Sequence, residues 1–229
     1  MQAQLTLDVT LQSRASFQNF FVGDNGAVYS VLQQFYHGKK ERFVYLWGEH
    51  GTGKTHLLEA CCHTFNQHGQ RIVYLPLREH ARFLPTILEG LEYLALLCID
   101  DIDQVAKIQE WEQALFHCYN RLLDSGCQLL ISGNNAPQHL SLQMPDLRSR
   151  LAQGMIFQLQ PLTDEQKLQL LQQQALARGF TLQDEVASYL LTRCSRGIKQ
   201  LFIVLDRLDR ASLSAQHRLT IPFVKQVLF

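Results

Sequence analysis

Eight consecutive residues, Gly48-Glu49-His50-Gly51-Thr52-Gly53-Lys54-Thr55, constrain this chain more than any other stretch. They fit the pattern G-x-x-x-x-G-K-[ST]. The apolar run Phe43–Trp47 ahead of them reads as a buried strand, and residues 54–67 behind them read as a helix. A strand feeding a glycine-rich turn feeding a helix is the context in which this pattern wraps a phosphate chain. The glycines let backbone N–H groups turn toward phosphate oxygens, and the new helix adds its positive N-terminal end. Lys54 is expected to reach the β/γ-phosphates and Thr55 to hold Mg²⁺.

Strand and helix signals alternate from residue 43 to 159. The 54–67 helix stops at Gly69, and Arg71–Leu75 reads as a strand closed by Pro76. A short helix is expected over 85–92. The apolar run Tyr93–Ile99 ends in Asp100-Asp101. Trp111, Ala114, Leu115, Cys118, Tyr119 and Leu122 recur at helical spacing, with Gly126 behind them. Gln128–Ser132 and Met155–Leu159 read as strands, with a short helix over 145–152 between them. This predicts an α/β fold with a parallel five-stranded sheet flanked by helices, its nucleotide beyond the carboxyl ends of the strands.

Past Pro161 only helical signals remain. Thr163 and Gln166 form a capping box for a helix that Gly179 stops, and a second helix runs over 184–193. Ile198, Leu201, Phe202, Leu205 and Leu208 lie on one stripe of a third, and a last helix starts after Thr220. The expected organisation is a mobile peptide over 1–13, a nucleotide-binding domain over 14–160 and a small all-helical lid over 161–229.

Bulk composition excludes several classes. Lys plus Arg and Asp plus Glu both number 21, so the net charge is zero and the chain carries no basic nucleic-acid footprint. No apolar run approaches a membrane span, and Met1–Thr10 lacks the basic and apolar regions of an export signal. The six cysteines form no C-x-x-C pair and no metal-like spacing. Buried free thiols in a reducing cytosol fit them best, which places the protein in the cytoplasm.

Other positions bear on chemistry. Asp100 closes a strand beside the phosphate loop, where a carboxylate can share the Mg²⁺ held by Thr55. Asp101 can orient or activate water. A glutamate is the more usual second acid; Asp101 is one methylene shorter, so any hydrolysis in cis is expected to be slow. Asn134 follows the strand ending at Ser132, where a polar side chain reaches a γ-phosphate or the attacking water; an Asn-rich turn before Pro137 reads equally well. Arg148 and Arg150 lie on a short helix, either solvated or at the rim of a neighbour's nucleotide. An arginine supplied in trans is worth about 10³–10⁵ in rate. The tetrapeptide Gln4-Leu5-Thr6-Leu7 either docks as an extended strand into an apolar pocket or forms a short edge strand.

Together these pieces resemble the AAA+ superfamily and, within it, the DnaA-like clade of replication initiators, over about residues 14–229. Ser16–Gly23 resembles the F-x-N-F-x-x-G segment that lines the adenine pocket, which implies Phe20 and Val22 as cofactor contacts. Gly48, His50, Gly51, Thr52, Gly53, Lys54 and Thr55 fall in Walker A, and Leu97–Ile102 in Walker B with its Asp-Asp pair. Asn134 falls at sensor 1, Arg150 at the arginine finger and Lys199 at sensor 2. Two positions depart from the pattern. Sensor 2 is normally arginine, and Lys199 keeps the charge without the planar fork. Sensor 1 carries Asn134 where the initiator usually has Asp.

The chain stops at Phe229, just past the lid pattern, so neither the initiator's helicase-contact domain nor its helix-turn-helix domain is expected. That points to the DnaA-homologous regulators, whose N-terminal Q-L-[ST]-L peptide binds the DNA polymerase III sliding clamp (the beta subunit). Gln4, Leu5 and Leu7 match it. The resemblance implies a clamp-tethered protein holding ADP or ATP with Mg²⁺. It would delay re-initiation by stimulating hydrolysis of DnaA-bound ATP, with Arg150 acting across the interface. No direct sequence-specific DNA binding is expected, and a homo-oligomer is compatible. The alternative is an autonomous ATPase of the initiator and helicase-loader clade. A small-molecule phosphotransferase would need an acceptor pocket and an arginine-rich closing loop, and neither is found in the sequence.

Overall fold

A computed structural model describes residues 15–37, 42–194, 197–215 and 219–228. The chain divides into two compact units, the first ending at Gln160 and the second starting at Pro161. The first holds five strands: β1 (Phe43–Trp47), β2 (Ile72–Pro76), β3 (Leu96–Asp100), β4 (Gln128–Gly133) and β5 (Met155–Gln158). All pair in parallel, in the order β2-β3-β4-β1-β5. Its helices are α1 (Gly26–Phe35), α2 (Lys54–Gln67), α3 (Gln109–Ser125) and α4 (Pro145–Leu151).

The strands read as unbroken apolar runs because both faces of the sheet are covered. Side chains alternate between those faces. Tyr45, Leu97, Ile99, Leu129 and Ile131 pack with Trp111, Leu115 and Leu122 of α3 and with Leu147 and Leu151 of α4. Val44, Leu46, Leu96, Cys98 and Leu130 pack with Val28 and Leu32 of α1 and with Leu57, Leu58 and Cys61 of α2.

Five cysteines are buried and unpaired, and Cys194 is half-buried. Burial pushes the Cys118 thiol up to about 12 and the Cys127 thiol up to about 11, which keeps them protonated and inert.

One local expectation fails for an identifiable reason. The helix over 85–92 is one 3₁₀ turn, Pro85–Leu88, because Glu89 turns extended and Gly90 adopts a left-handed φ of 67°. The strand that the acid pair closes starts at Leu96, as expected, and Tyr93 ahead of it is exposed. Helix α1 was not foreseen. Val28, Leu32 and Phe35 give it one buried stripe.

The second unit is helical: α5 (Asp164–Ala177), α6 (Asp184–Arg193), α7 (Ile198–Ala215) and α8 (Ile221–Leu228). Thr163 and Gln166 form the reciprocal box at the start of α5, with bonds of 3.2 and 3.0 Å. Leu171, Val186, Leu190, Leu201, Leu205 and Val224 share a core. Arg178 pairs with Asp206 at 2.7 Å, tying α5 to α7. Among the described residues no helix is long and apolar enough to cross a membrane.

Gly133 ends β4 directly over the Tyr45 ring, and a Cβ there would overlap the Tyr45 hydroxyl. That hydroxyl is fixed by a 3.0 Å bond to the Asn135 carbonyl. Gly133→Ala is therefore expected to cost about 1–3 kcal/mol by overpacking. Tyr45→Phe in the same chain should return part of the loss, read by denaturant titration of the two single variants and the double. A Gly133→Ala protein as stable as wild type would contradict this packing.

Candidate functional site

The phosphate loop runs from the end of β1 into the start of α2. Its geometry is possible only because Gly51 and Gly53 take left-handed φ of 86° and 98°. Gly53 is also the N-cap of α2, so the helix's unpaired N–H groups open onto the loop. A Cβ at Gly48 would sit 2.7 Å from the Leu159 carbonyl, so the loop root admits no side chain. Thr52 Oγ1 closes the turn on the Glu49 carbonyl at 2.9 Å, while His50 points outward and is exposed. Lys54 Nζ donates to the carbonyls of Gly48 (2.6 Å) and Glu49 (3.0 Å) and to Asn134 Oδ1 (3.2 Å). Burial lowers its ammonium below the ordinary range, opposed by Asp101, Asp100 and Asp103.

Asp100 is fully buried at the carboxyl end of β3. Thr55 Oγ1 donates to it at 2.7 Å and the Tyr74 hydroxyl at 2.8 Å; Ser132 Oγ donates as well. Thr55 and Asp100 thus stand together as an oxygen pair beside the loop, the donor chemistry that Mg²⁺ takes. Asp101 takes a left-handed conformation, φ 59° and ψ 53°, with its N–H on Ser132 Oγ at 3.0 Å. Burial and then repulsion from Asp100 raise its carboxyl above the usual range.

Asn134 leaves β4 beside these acids. Its backbone N–H donates to Asp103 Oδ2 at 2.6 Å, which aims its side chain at Lys54. On the far side of the loop, Phe20 lies against Gly53, where an added Cβ would meet the ring at 2.8 Å. Phe20 stacks on Tyr29 and tilts against His56, with centroids 6.0 and 5.4 Å apart. Val22 is half-buried in the same segment. This segment is pinned at two points. His56 Nε2 donates to the Ser16 carbonyl at 3.0 Å, and Asn25 brackets Gln160 with bonds of 3.1 and 2.7 Å.

Arg150 sits in the last turn of α4, half-buried, with one 3.4 Å contact to Gln153. Arg148, two residues earlier, is turned inward onto the Leu142 carbonyl. Glu112 fixes the approach to α4: its carboxylate accepts from the N–H groups of Lys107, Gln143 and Met144. Lys199 is exposed in the first turn of α7, in the second unit. Gln4, Leu5 and Leu7 lie outside the described residues.

Sequence reasoning missed four contributors: Tyr74, Arg78, Asp103 and Asn25. Tyr74 and Arg78 could be found only from strand order, since β2 reaches Asp100 by pairing with β3. Asp103 had a local signal in its spacing from the Asp100-Asp101 pair.

A parallel sheet of this order, with a glycine loop on β1, a carboxylate ending β3 and a separate helical unit, defines a P-loop NTPase of the AAA+ class. Comparison with known proteins narrows the class. Residues 11–158 match the bacterial DnaA ATPase domain, and residues 164–228 match the lid domain of Hda. The chain belongs to the bacterial DnaA ATPase-domain family. Domain III of the Thermotoga maritima replication initiation protein DnaA is similar, with a TM-score of 0.78 at 23% identity over 93% of this chain and 95% of that one. AMPPCP-bound DnaA from Aquifex aeolicus gives 0.76 at 21% identity, over 91% and 70%. A Thermotoga maritima RuvB variant gives 0.71 at 19% identity, over 93% and 71%. At these identities the solved structures establish the fold. Membership of an ATPase-domain family implies a nucleotide at the loop.

Burial lowers the His56 imidazole below 6.5, and the Ser16 bond offsets this only in part. The unfolded chain then takes up its proton first. This contribution to stability is complete above 6.5 and is lost as pH falls from 6.5 through the folded-state value. His56→Gln should flatten the fall in melting temperature between about pH 7 and about pH 5. An unchanged pH profile would contradict the assignment.

Proposed function

We propose that this protein is a nucleotide-bound negative regulator of replication initiation that stimulates hydrolysis of DnaA-bound ATP while tethered to the sliding clamp. The observation that carries the reading is the match of residues 164–228 to the lid of Hda, on a body that matches the DnaA ATPase domain. Gly51, Gly53 and Lys54 would hold the phosphates of ADP or ATP, with Phe20 and Val22 toward the base and Lys199 as the lid-side cation. Thr55 and Asp100 would hold Mg²⁺, which supplies a positive charge that screens the phosphate oxygens. Asp101 and Asn134 face the same loop and would order water there. Arg150 would act on the nucleotide of DnaA, and Gln4, Leu5 and Leu7 would dock on the clamp. Such a protein works in the cytoplasm.

The arginines favour action in trans. Arg148 bonds an internal carbonyl, whereas Arg150 makes a long hydrogen bond to Gln153 and lies near Tyr119, contacts weak enough to release it toward a partner. In a mixture of ATP-loaded DnaA, clamp and this protein, Arg150→Ala should keep ADP binding and clamp binding. It should lose about 10³-fold or more of any stimulation that one arginine supplies. Retained stimulation would remove Arg150 from the role. Gln4→Ala with Leu5→Ala should abolish retention by immobilised clamp while leaving ADP binding intact; undiminished retention would remove the tether.

The complete loop, with Lys54 in place and an acid pair beside it, also favours a second reading: an autonomous ATPase of the initiator and helicase-loader clade. Substantial turnover without DnaA, in the same assay, would select it.

A further inference from the structure

We propose that Arg78 is the resident counter-cation of the metal site: it balances Asp100 and Asp101 in the absence of a divalent ion and competes with Mg²⁺ for them. The inference rests on the nucleotide and Mg²⁺ reading given above. Arg78 Nη2 lies 2.8 Å from Asp101 Oδ2, 3.5 Å from Asp100 Oδ2 and 3.4 Å from Thr55 Oγ1. Two of those three oxygens are the ones expected to hold the metal. A divalent ion held by Thr55 and Asp100 would therefore meet the Arg78 charge at the same oxygens and be repelled by it.

The strands place it there. In the β2–β3 ladder Pro76 stands opposite Asp100, so the chain leaving β2 runs on beside Asp101. Leu77 anchors that turn at full burial, and the Arg78 side chain is 39% exposed. With its end at the surface, the side chain has room to swing toward solvent. Adjacent buried carboxylates repel each other, and a cation placed between them offsets that repulsion. Lys54 is committed to two loop carbonyls and Asn134, so among the described residues Arg78 forms the ion pairs to both acids. One nitrogen, Nη2, makes all three contacts, and its shortest is to Asp101, which can keep it when a metal takes Asp100.

The consequence is weak coupling between metal and nucleotide. With Arg78 present, phosphates near the acid pair never meet two bare carboxylates, so nucleotide binds with or without Mg²⁺. Without Arg78, metal-free nucleotide is repelled and Mg²⁺ meets no competitor.

Calorimetry of ADP binding in excess Mg²⁺ and in EDTA measures this coupling as the ratio of the two dissociation constants. In Arg78→Ala the ratio should grow by about tenfold or more, the scale of one pKa unit of charge interaction. Arg78→Lys should stay near wild type. Arg78→Gln reads the same ratio if the alanine variant does not fold. An unchanged ratio in the neutral variants, with ADP bound in both buffers, overturns the proposal and leaves the nucleotide reading standing. Equal weakening in both buffers also overturns it and makes Arg78 a phosphate ligand. Failure of wild type to bind ADP in either buffer overturns both.

Discussion

The carboxylate of Asp100 has no access to solvent, and three hydroxyl groups from three elements donate to it: Thr55 on α2, Tyr74 on β2 and Ser132 on β4. A buried carboxylate without donors costs several kcal/mol, roughly, and would take up a proton instead of keeping its charge. Satisfied in this way, it joins the phosphate-loop helix and the strands on either side of β3 at one point. Burial, and then Asp100 itself, push the Tyr74 phenol far up, so Tyr74 remains a donor at every physiological pH. The knot is the reason the loop and the acid pair keep a fixed separation.

A second knot connects the core to the loop. Tyr45 rises through the sheet to the Asn135 carbonyl, Asp103 holds the Asn134 N–H, and Asn134 faces Lys54. Asp103 also supports the ammonium through space and disfavours ionisation of Tyr45. The turn after β4 is therefore tied to the inside of the sheet as well as to the loop.

Much of the fold was legible because the chain states it locally. A glycine loop needs left-handed backbone at Gly51 and Gly53, and α2 begins at Lys54, where the pattern places it. Strand–helix alternation gave five strands on nearly the expected residues. The acid pair and Thr55 were legible as a pair because Walker spacing encodes their meeting. What was not legible is cross-strand. Arg78 joins the acids by the register of β2 on β3, which no local pattern states. The 85–92 helix failed because Glu89 is extended and Gly90 left-handed, so only the turn Pro85–Leu88 forms. Helix α1 escaped because its stripe is short and precedes the alternating region. Asn25 escaped with it, being recognisable only by its two bonds to Gln160.

The arrangement of charges bears on whether the protein hydrolyses its own nucleotide or acts on another's. A catalytic base must be free to accept a proton from water. Asp101 has its carboxylate against the Arg78 guanidinium at 2.8 Å and its backbone held left-handed by Ser132, so it is not free. Burial and Asp100 already raise its carboxyl, and the guanidinium partly counteracts that, leaving a group whose position is set by its neighbours. The arginines divide the opposite way: Arg148 serves the fold and Arg150 is lightly held at the end of α4. A site whose second acid is held in this way suits keeping a nucleotide bound rather than turning it over quickly.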